Sequence, residues 1–173
     1  SSYLMMTLSR FIAIMIHNRD AARELERMSQ RDQMTGLLNR RGLSNYFMDL
    51  PKGIPCAFFF GDVNGLKRMN DEHGHEAGDA LIKTVADIML QAQQQAGRGH
   101  VFRMGGDEFL MIVEQLDKTH AEEVQQSLRE AFRTHHVSVA LGALVSMTPI
   151  PDMDAIITKV DREMYKDKGK KKR

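Results

Sequence analysis

The order of hydrophobic patterns along the chain predicts an α/β fold: a mixed central β-sheet flanked by helices, preceded by a connector helix. Three observations carry this expectation. Residues 56–63 form a nearly all-apolar run, as in a strand buried on both faces. Residues 100–104 and 107–113 flank Gly105-Gly106 as the two arms of a hairpin. Around them, apolar residues recur at helical spacing in several separate stretches.

Residues 4–29 read as one long helix. Leu8, Phe11, Met15, Ala22 and Leu25 alternate at spacings of three and four, with Asn18 as a polar interruption of the same seam. Ile12, Ile16 and Met28 widen the stripe. The pattern suits a dimerising connector over residues 1–29, the possible end of a truncated sensor module, ahead of a globular domain over residues 30–173. The alternatives are an amphipathic helix packed on its own domain and the remnant of a membrane span. Ser9 and Arg10 interrupt the apolar part, which falls short of the roughly 20 residues a spanning helix needs. No membrane insertion of this segment is therefore expected. With no signal-peptide pattern at the start, a cytoplasmic location is expected, whatever tethers the parent protein.

Residues 43–50 read as a helix, closed by the turn Pro51-Lys52-Gly53-Ile54-Pro55. After the buried strand comes a polar, glycine-punctuated segment over residues 64–78. A helix follows in which Leu81, Ile82, Val85, Ile88 and Met89 share a face, ended by Gly97 and Gly99. Beyond the hairpin, Thr119 and Glu122 are spaced as a capping box for a helix with Ala121, Val124, Leu128 and Phe132 inward. Val137, Val139, Leu141, Ala143 and Val145 alternate as in a strand. A last helix starts near Pro151, buries Met153, Ile156, Ile157, Val160 and Met164, and runs into a basic tail.

The bulk composition sets limits. The 173 residues suffice for one domain with an appended element. A net charge of +1 gives no general attraction to nucleic acid, so no nucleic-acid partner is expected and any anion site must be built locally. Cys56, the single cysteine, fits a reducing compartment and reads as a packed, inert thiol. The many methionines read as flexible core filler.

Two acidic points stand where a strand ends or turns. Asp62 closes the buried strand, and Asp107 and Glu108 leave the Gly-Gly turn. If the hairpin lies beside that strand, carboxylates from both can meet at one sheet edge, and alternation puts only one of Asp107 and Glu108 on the face of Asp62. Paired carboxylates suit Mg²⁺, which keeps its remaining sites for water and phosphate. The plainer alternative is that these acids and glycines merely solvate a turn.

The string Arg103-Met104-Gly105-Gly106-Asp107-Glu108-Phe109 resembles the signature of the GGDEF family of diguanylate cyclases. Asp32-Gln33-Met34-Thr35-Gly36-Leu37-Leu38-Asn39-Arg40-Arg41 is similar to the family's opening motif, and residues 62–71 followed by 74–79 to its central motif. Val160-Asp161-Arg162-Glu163-Met164-Tyr165 with Lys168 resembles its closing helix. The resemblance covers residue 32 to the end and implies a nucleotidyl-cyclase or palm-like fold.

It also implies an activity: condensation of two GTP into cyclic di-GMP and two pyrophosphate, across a homodimer, for bacterial second-messenger signalling. Asp62, the Val63 carbonyl and Asp107 would hold Mg²⁺ or Mn²⁺. Asp107 would serve as base toward the ribose 3′-hydroxyl, with Glu108 beside it. Asn70 and Asp79 would read guanine. Leu66, Lys67, Gly105, Gly106, Lys168 and Lys172 would meet the rest of the nucleotide. Lys168 and Lys172 are four apart, hence on one helical face; where the family usually has an arginine, Lys172 keeps the charge but loses the bidentate fork. His73 and His75 lie in the loop before Asp79; His75 belongs to the motif and is expected to shape its loop by a hydrogen bond.

One departure concerns regulation. At the place of the family's Arg-x-x-Asp product-inhibition site stands Ala96-Gly97-Arg98-Gly99, so that feedback is expected to be absent. The runner-up function is a catalytically inactive GTP-binding regulatory module of the same fold; a cyclase of mixed or adenine product is a further rival.

Overall fold

The structure, a computed structural model, describes residues 2–171. The elements are α1 (Ser2–Ser29), α2 (Arg40–Met48), β1 (Pro55–Val63), α3 (Leu66–His73), α4 (His75–Ala96), β2 (Gly99–Arg103), β3 (Glu108–Glu114), α5 (Lys118–Thr134), β4 (Val139–Met147) and α6 (Met153–Lys171). The strands form one four-stranded sheet in the order β2-β3-β1-β4. All three pairings are antiparallel, and parallel character is confined to an isolated bridge between Leu38 and Phe102. The expected α/β layering is present.

β1 organises the sheet because its side chains feed two cores. Ala57, Phe59 and Val63 point toward α4 and α5, where they meet Val85, Met89, Met111, Leu128 and Leu141. Cys56, Phe58 and Phe60 point toward α2 and α6, among Leu43, Phe102, Leu110, Val160 and Met164. A strand apolar at nearly every position is what a two-faced sheet requires. Cys56 is fully buried and its thiol is pushed up to about 11, by burial first and then by the Glu114 charge, so it is inert as expected.

Three local expectations are corrected. Residues 66–73 form a helix of their own, α3, within what reads in sequence as a polar segment. α5 begins one residue before Thr119: Asp117 is its N-cap, and its side chain accepts from the His120 N–H at 2.9 Å. α4 ends on Gly97 alone, while Gly99 already belongs to β2.

α1 buries none of its residues against the rest of the chain, so it is not an amphipathic helix packed on its own domain. Its base is tied down: the Asn39 amide donates to the Ser29 carbonyl at 2.8 Å, and the Asn39 N–H to the Gln30 carbonyl at 2.8 Å. Among the described residues no helix is long and apolar enough to cross a membrane.

Candidate active site

Asp62 is the penultimate residue of β1, and its register partner on β3 is Glu108. One residue on, the Val63 N–H donates to the Asp107 carbonyl at 2.9 Å. These two pairings draw the Gly-Gly turn onto the end of β1, so both acids approach Asp62. As alternation predicts, only Glu108 shares the face of Asp62 by strand pairing; Asp107 approaches it from the turn ahead of β3, which strand alternation does not govern.

A cation reaches the same point from α6. Lys168 Nζ donates to Asp62 Oδ2 at 2.6 Å. Asp62 Oδ1 is buried and has no partner among the described residues. Burial raises the Asp107 carboxyl above its ordinary range, and the Asp62 charge raises it further. Burial, then Asp62, Asp107 and Asp161, likewise raise Glu108, with Arg40 opposing. The hydrogen bond to Asp62 raises Lys168.

Crowded carboxylates with an orphaned buried oxygen are a poor arrangement for the protein alone and a good one for a dication. The residues therefore fit the implied metal. They do not enclose it: among the described residues no three acidic, histidine or cysteine side chains gather as a closed metal set. An open oxygen site is what Mg²⁺ uses when phosphate and water complete its shell.

A carboxyl raised in the folded state keeps its proton where the unfolded chain has lost it. Metal-free stability should therefore fall as pH rises from the ordinary carboxyl value through the raised values of Asp107 and Glu108, and stay lower above them. Mg²⁺ competes with those protons. The gain in Tm on adding Mg²⁺ is expected to grow with pH across that window and to be lost in Asp62→Asn, as thermal shifts at several pH values would measure.

The turn carrying Asp107 is braced from behind. Arg103 donates to the Gly105 carbonyl at 3.2 Å, the Gly106 carbonyl at 2.9 Å and Asp32 Oδ2 at 3.1 Å. Burial alone would raise Asp32, but donors from Thr35 and Arg103 together hold it below the usual range. Neither Gly105 nor Gly106 is left-handed; Gly105 lies against the Glu108 carboxylate, with Glu108 Oε2 3.2 Å from where a side chain would begin.

The other expected residues stand on α3 and α4, the two helices that follow β1. Leu66 and Lys67 open α3, whose N-cap Gly65 is left-handed at φ 74° and supplies no side-chain cap. The first N–H groups of α3 thus remain available to an anion. Asn70, also on α3, sits beneath Gly78 with its Oδ1 buried and unpartnered among the described residues. Asp79 follows Gly78 on α4 and is exposed. Lys172 lies outside the described residues.

His75 is corrected: it is the exposed first residue of α4, its side chain makes no hydrogen bond among the described residues, and the loop turns at Gly74 with φ 89°. His73 Nε2 lies 4.0 Å from Glu72 Oε2.

Sequence reasoning assigned no role to Asp167 and Arg129. Asp167 Oδ2 accepts from the Leu141 N–H and from Arg129, each at 3.0 Å, pinning α6 to β4 one residue before Lys168. Asp32, Arg40 and Arg103 all stand in the quoted motifs, but their contacts could not be read from spacing.

A four-stranded antiparallel sheet with acids from a strand end and a hairpin turn converging at one edge defines the class: a nucleotidyl-cyclase-like domain. The family described as "Diguanylate cyclase, GGDEF domain" matches residues 29–173, and the chain belongs to it. An uncharacterized 19.3 kDa protein of Streptomyces ambofaciens is 28% identical over 96% of this chain and 93% of its own length. The probable diguanylate cyclase DgcT of Escherichia coli is 25% identical; the match covers 93% of this chain but 38% of DgcT, so this chain spans well under half of that relative. Among solved structures, the coiled coil and GGDEF domain of DgcB from Caulobacter crescentus, in complex with c-di-GMP, superposes with a TM-score of 0.80. It is 20% identical and the match covers 95% of this chain and 94% of that one, a likeness of fold.

Proposed function

We propose that the domain over residues 30–173 is a diguanylate cyclase that joins two GTP into cyclic di-GMP and two pyrophosphate. The observation that carries this reading is the meeting of Asp62, Asp107, Glu108 and Lys168 at one sheet edge. Family membership supports it.

Asp62, the Val63 carbonyl and Asp107 would hold Mg²⁺ or Mn²⁺. When bound, the metal supplies charge neutralisation for the attacking hydroxyl and the departing pyrophosphate. Lys168, now on Asp62, would turn to the triphosphate of the protomer's own nucleotide, and Lys172 would join it. The first N–H groups of α3, at Leu66 and Lys67, would meet its phosphates, and the backbone at Gly105 and Gly106 would meet nucleotide from the α2 flank.

One domain holds one GTP, so two domains face each other. The 3′-oxygen of the partner's nucleotide attacks the α-phosphorus beside this protomer's acids, and its O–H bond breaks with the proton passing to Asp107. A new O–P bond forms as the bond from the α-phosphorus to the bridging oxygen breaks. Pyrophosphate leaves with that electron pair. The reciprocal reaction closes the ring. Catalysis is then chiefly positioning and electrostatics, with Glu108 adding negative charge next to the base.

The stripe of α1, with Leu8, Phe11, Met15 and Leu25 exposed, would pair two copies and keep the domains near each other. The likeness to a DgcB fragment described as coiled coil plus GGDEF domain is in keeping with that role.

Asn70 and Asp79 would read guanine, which offers adjacent N–H donors that adenine lacks. An unpaired acceptor costs about 1–3 kcal/mol. Asp79→Ser is expected to loosen selection against ATP by roughly tenfold or more in competition assays.

Feedback inhibition is expected to be absent. Arg98 is engaged with the buried Glu114 at 3.3 Å, and Gly99 stands where an aspartate would be needed. Added cyclic di-GMP should not inhibit non-competitively; tight product binding away from the acids would contradict this.

The function is tested by incubating the protein with GTP and Mg²⁺ and following pyrophosphate and cyclic dinucleotide, with and without residues 1–29. Turnover, faster with the helix, is expected. GTP binding without pyrophosphate release would instead identify a regulatory nucleotide-binding module.

A further inference from the structure

The acidic edge has cations on both flanks. Lys168 comes from α6, which packs on β4 and β1. On the other flank, α2 packs on β2, and its first two residues are Arg40 and Arg41. The lining of a shallow concavity there includes Arg40, Arg41, Gly105 and Gly106, together with Arg103 and the Asp32 carboxylate that Arg103 neutralises. It contains no residue of α3, α4 or α6, the elements that carry Asn70, Asp79 and Lys168.

The guanidinium of Arg103 is committed to Asp32 and the turn carbonyls. Arg40 is different. Its Nε donates to the Met104 carbonyl at 2.9 Å, which fixes the plane of the guanidinium, while its two terminal nitrogens make no bond among the described residues. It lies near enough to Glu108 for its charge to be felt there. Arg41 is exposed and has no side-chain partner among the described residues. A guanidinium held at Nε with both terminal nitrogens open is oriented for forked recognition of phosphate oxygens.

We propose that Arg40, with Arg41 beside it, contacts the triphosphate of the nucleotide held by the partner protomer. The protomer's own nucleotide is read from α3 and α4 and gripped from α6, so the α2 flank is left to a nucleotide presented from across the dimer. Arg40 there would meet the charge that spreads over the non-bridging oxygens of the partner's α-phosphate during attack. This rests on the cyclase reading and assigns a residue that acts in trans.

Arg40→Ala is expected to lower kcat about 10- to 100-fold, with a smaller change in KM for GTP, and Arg40→Lys to recover part of the loss. Arg41→Ala, which removes no side-chain hydrogen bond or ion pair among the described residues, should lower kcat about three- to tenfold without moving Tm.

The deciding experiment mixes Arg40→Ala with Asp107→Asn. In a mixed dimer, the Arg40→Ala protomer keeps its own acids and receives Arg40 of the partner subunit, so one half-reaction is complete. The reciprocal half-reaction lacks both groups. The mixture should therefore release one pyrophosphate per linear, triphosphate-bearing diguanylate, about tenfold or more above either variant alone.

An active wild type whose mixture shows no such restoration would overturn the inference, because Arg40 would then act in its own protomer or only brace the turn. Unchanged kcat in both arginine variants would overturn it as well. A wild type that makes no product at all would remove the cyclase reading and this inference together.

Discussion

Asp107→Asn should slow pyrophosphate release by about 10²–10⁴-fold and at the same time raise the metal-free Tm. The two effects have one cause. Asp107 sits where burial and the Asp62 charge both oppose its ionisation, so the folded chain pays for a charge that only the reaction uses. Asparagine keeps the shape and removes the charge. It cannot accept the hydroxyl proton and is a poorer partner for a dication. Kinetics on GTP and a thermal melt without metal check both signs. A variant that lost activity and also lost stability would point to a structural acid instead.

The second large effect is expected from Gly142→Val. Gly142 lies on β4 where α6 crosses it, and a Cβ there would fall on the backbone nitrogen of Met164 and 2.7 Å from the carbonyl carbon of Glu163. Neither atom can move without moving the helix. Overpacking of this kind typically costs about 1–3 kcal/mol, and a clash with backbone belongs at the upper end. Because Asp167 ties α6 to Leu141 next door, the displaced helix should carry Lys168 away from Asp62. A lowered Tm together with a raised KM for GTP is expected. A purely local cavity or surface effect would leave KM unchanged.

Much of this organisation is legible in the chain because it is written in repeating patterns. β1 is recognisable from its unbroken apolar run, and α4 and α6 from stripes that recur every three or four residues. Asp62, Asp107 and Glu108 are visible because each ends or begins a strand next to a glycine-rich turn.

What escapes is what lacks periodicity. α3 has eight residues, of which only Leu66 and Met69 are apolar, too few to draw a stripe. Thr119 and Glu122 have the right spacing for a cap, but Asp117, two residues earlier, already caps the His120 N–H, so the helix starts before Thr119.

The braces of the site are harder still. Arg103 and Asp32 are 71 residues apart, Arg129 and Asp167 are 38 apart, and Arg40 reaches a carbonyl 64 residues away. Such pairs are set by how the elements stack, and nothing local in the sequence announces them. The approach of Asp107 to Asp62 belongs to the same class, because a turn residue obeys no alternation.

The central claim is that Asp62 and Asp107, brought from separate stretches of chain, share a divalent cation next to a nucleotide triphosphate. Crystals grown with Mn²⁺ and a GTP analogue lacking the 3′-hydroxyl would test it directly through anomalous scattering. The account predicts a manganese peak within bonding distance of both carboxylates and of phosphate oxygen, with Lys168 moved from Asp62 to the triphosphate. A nucleotide bound with Lys168 still on Asp62 and no manganese between the two acids would contradict it.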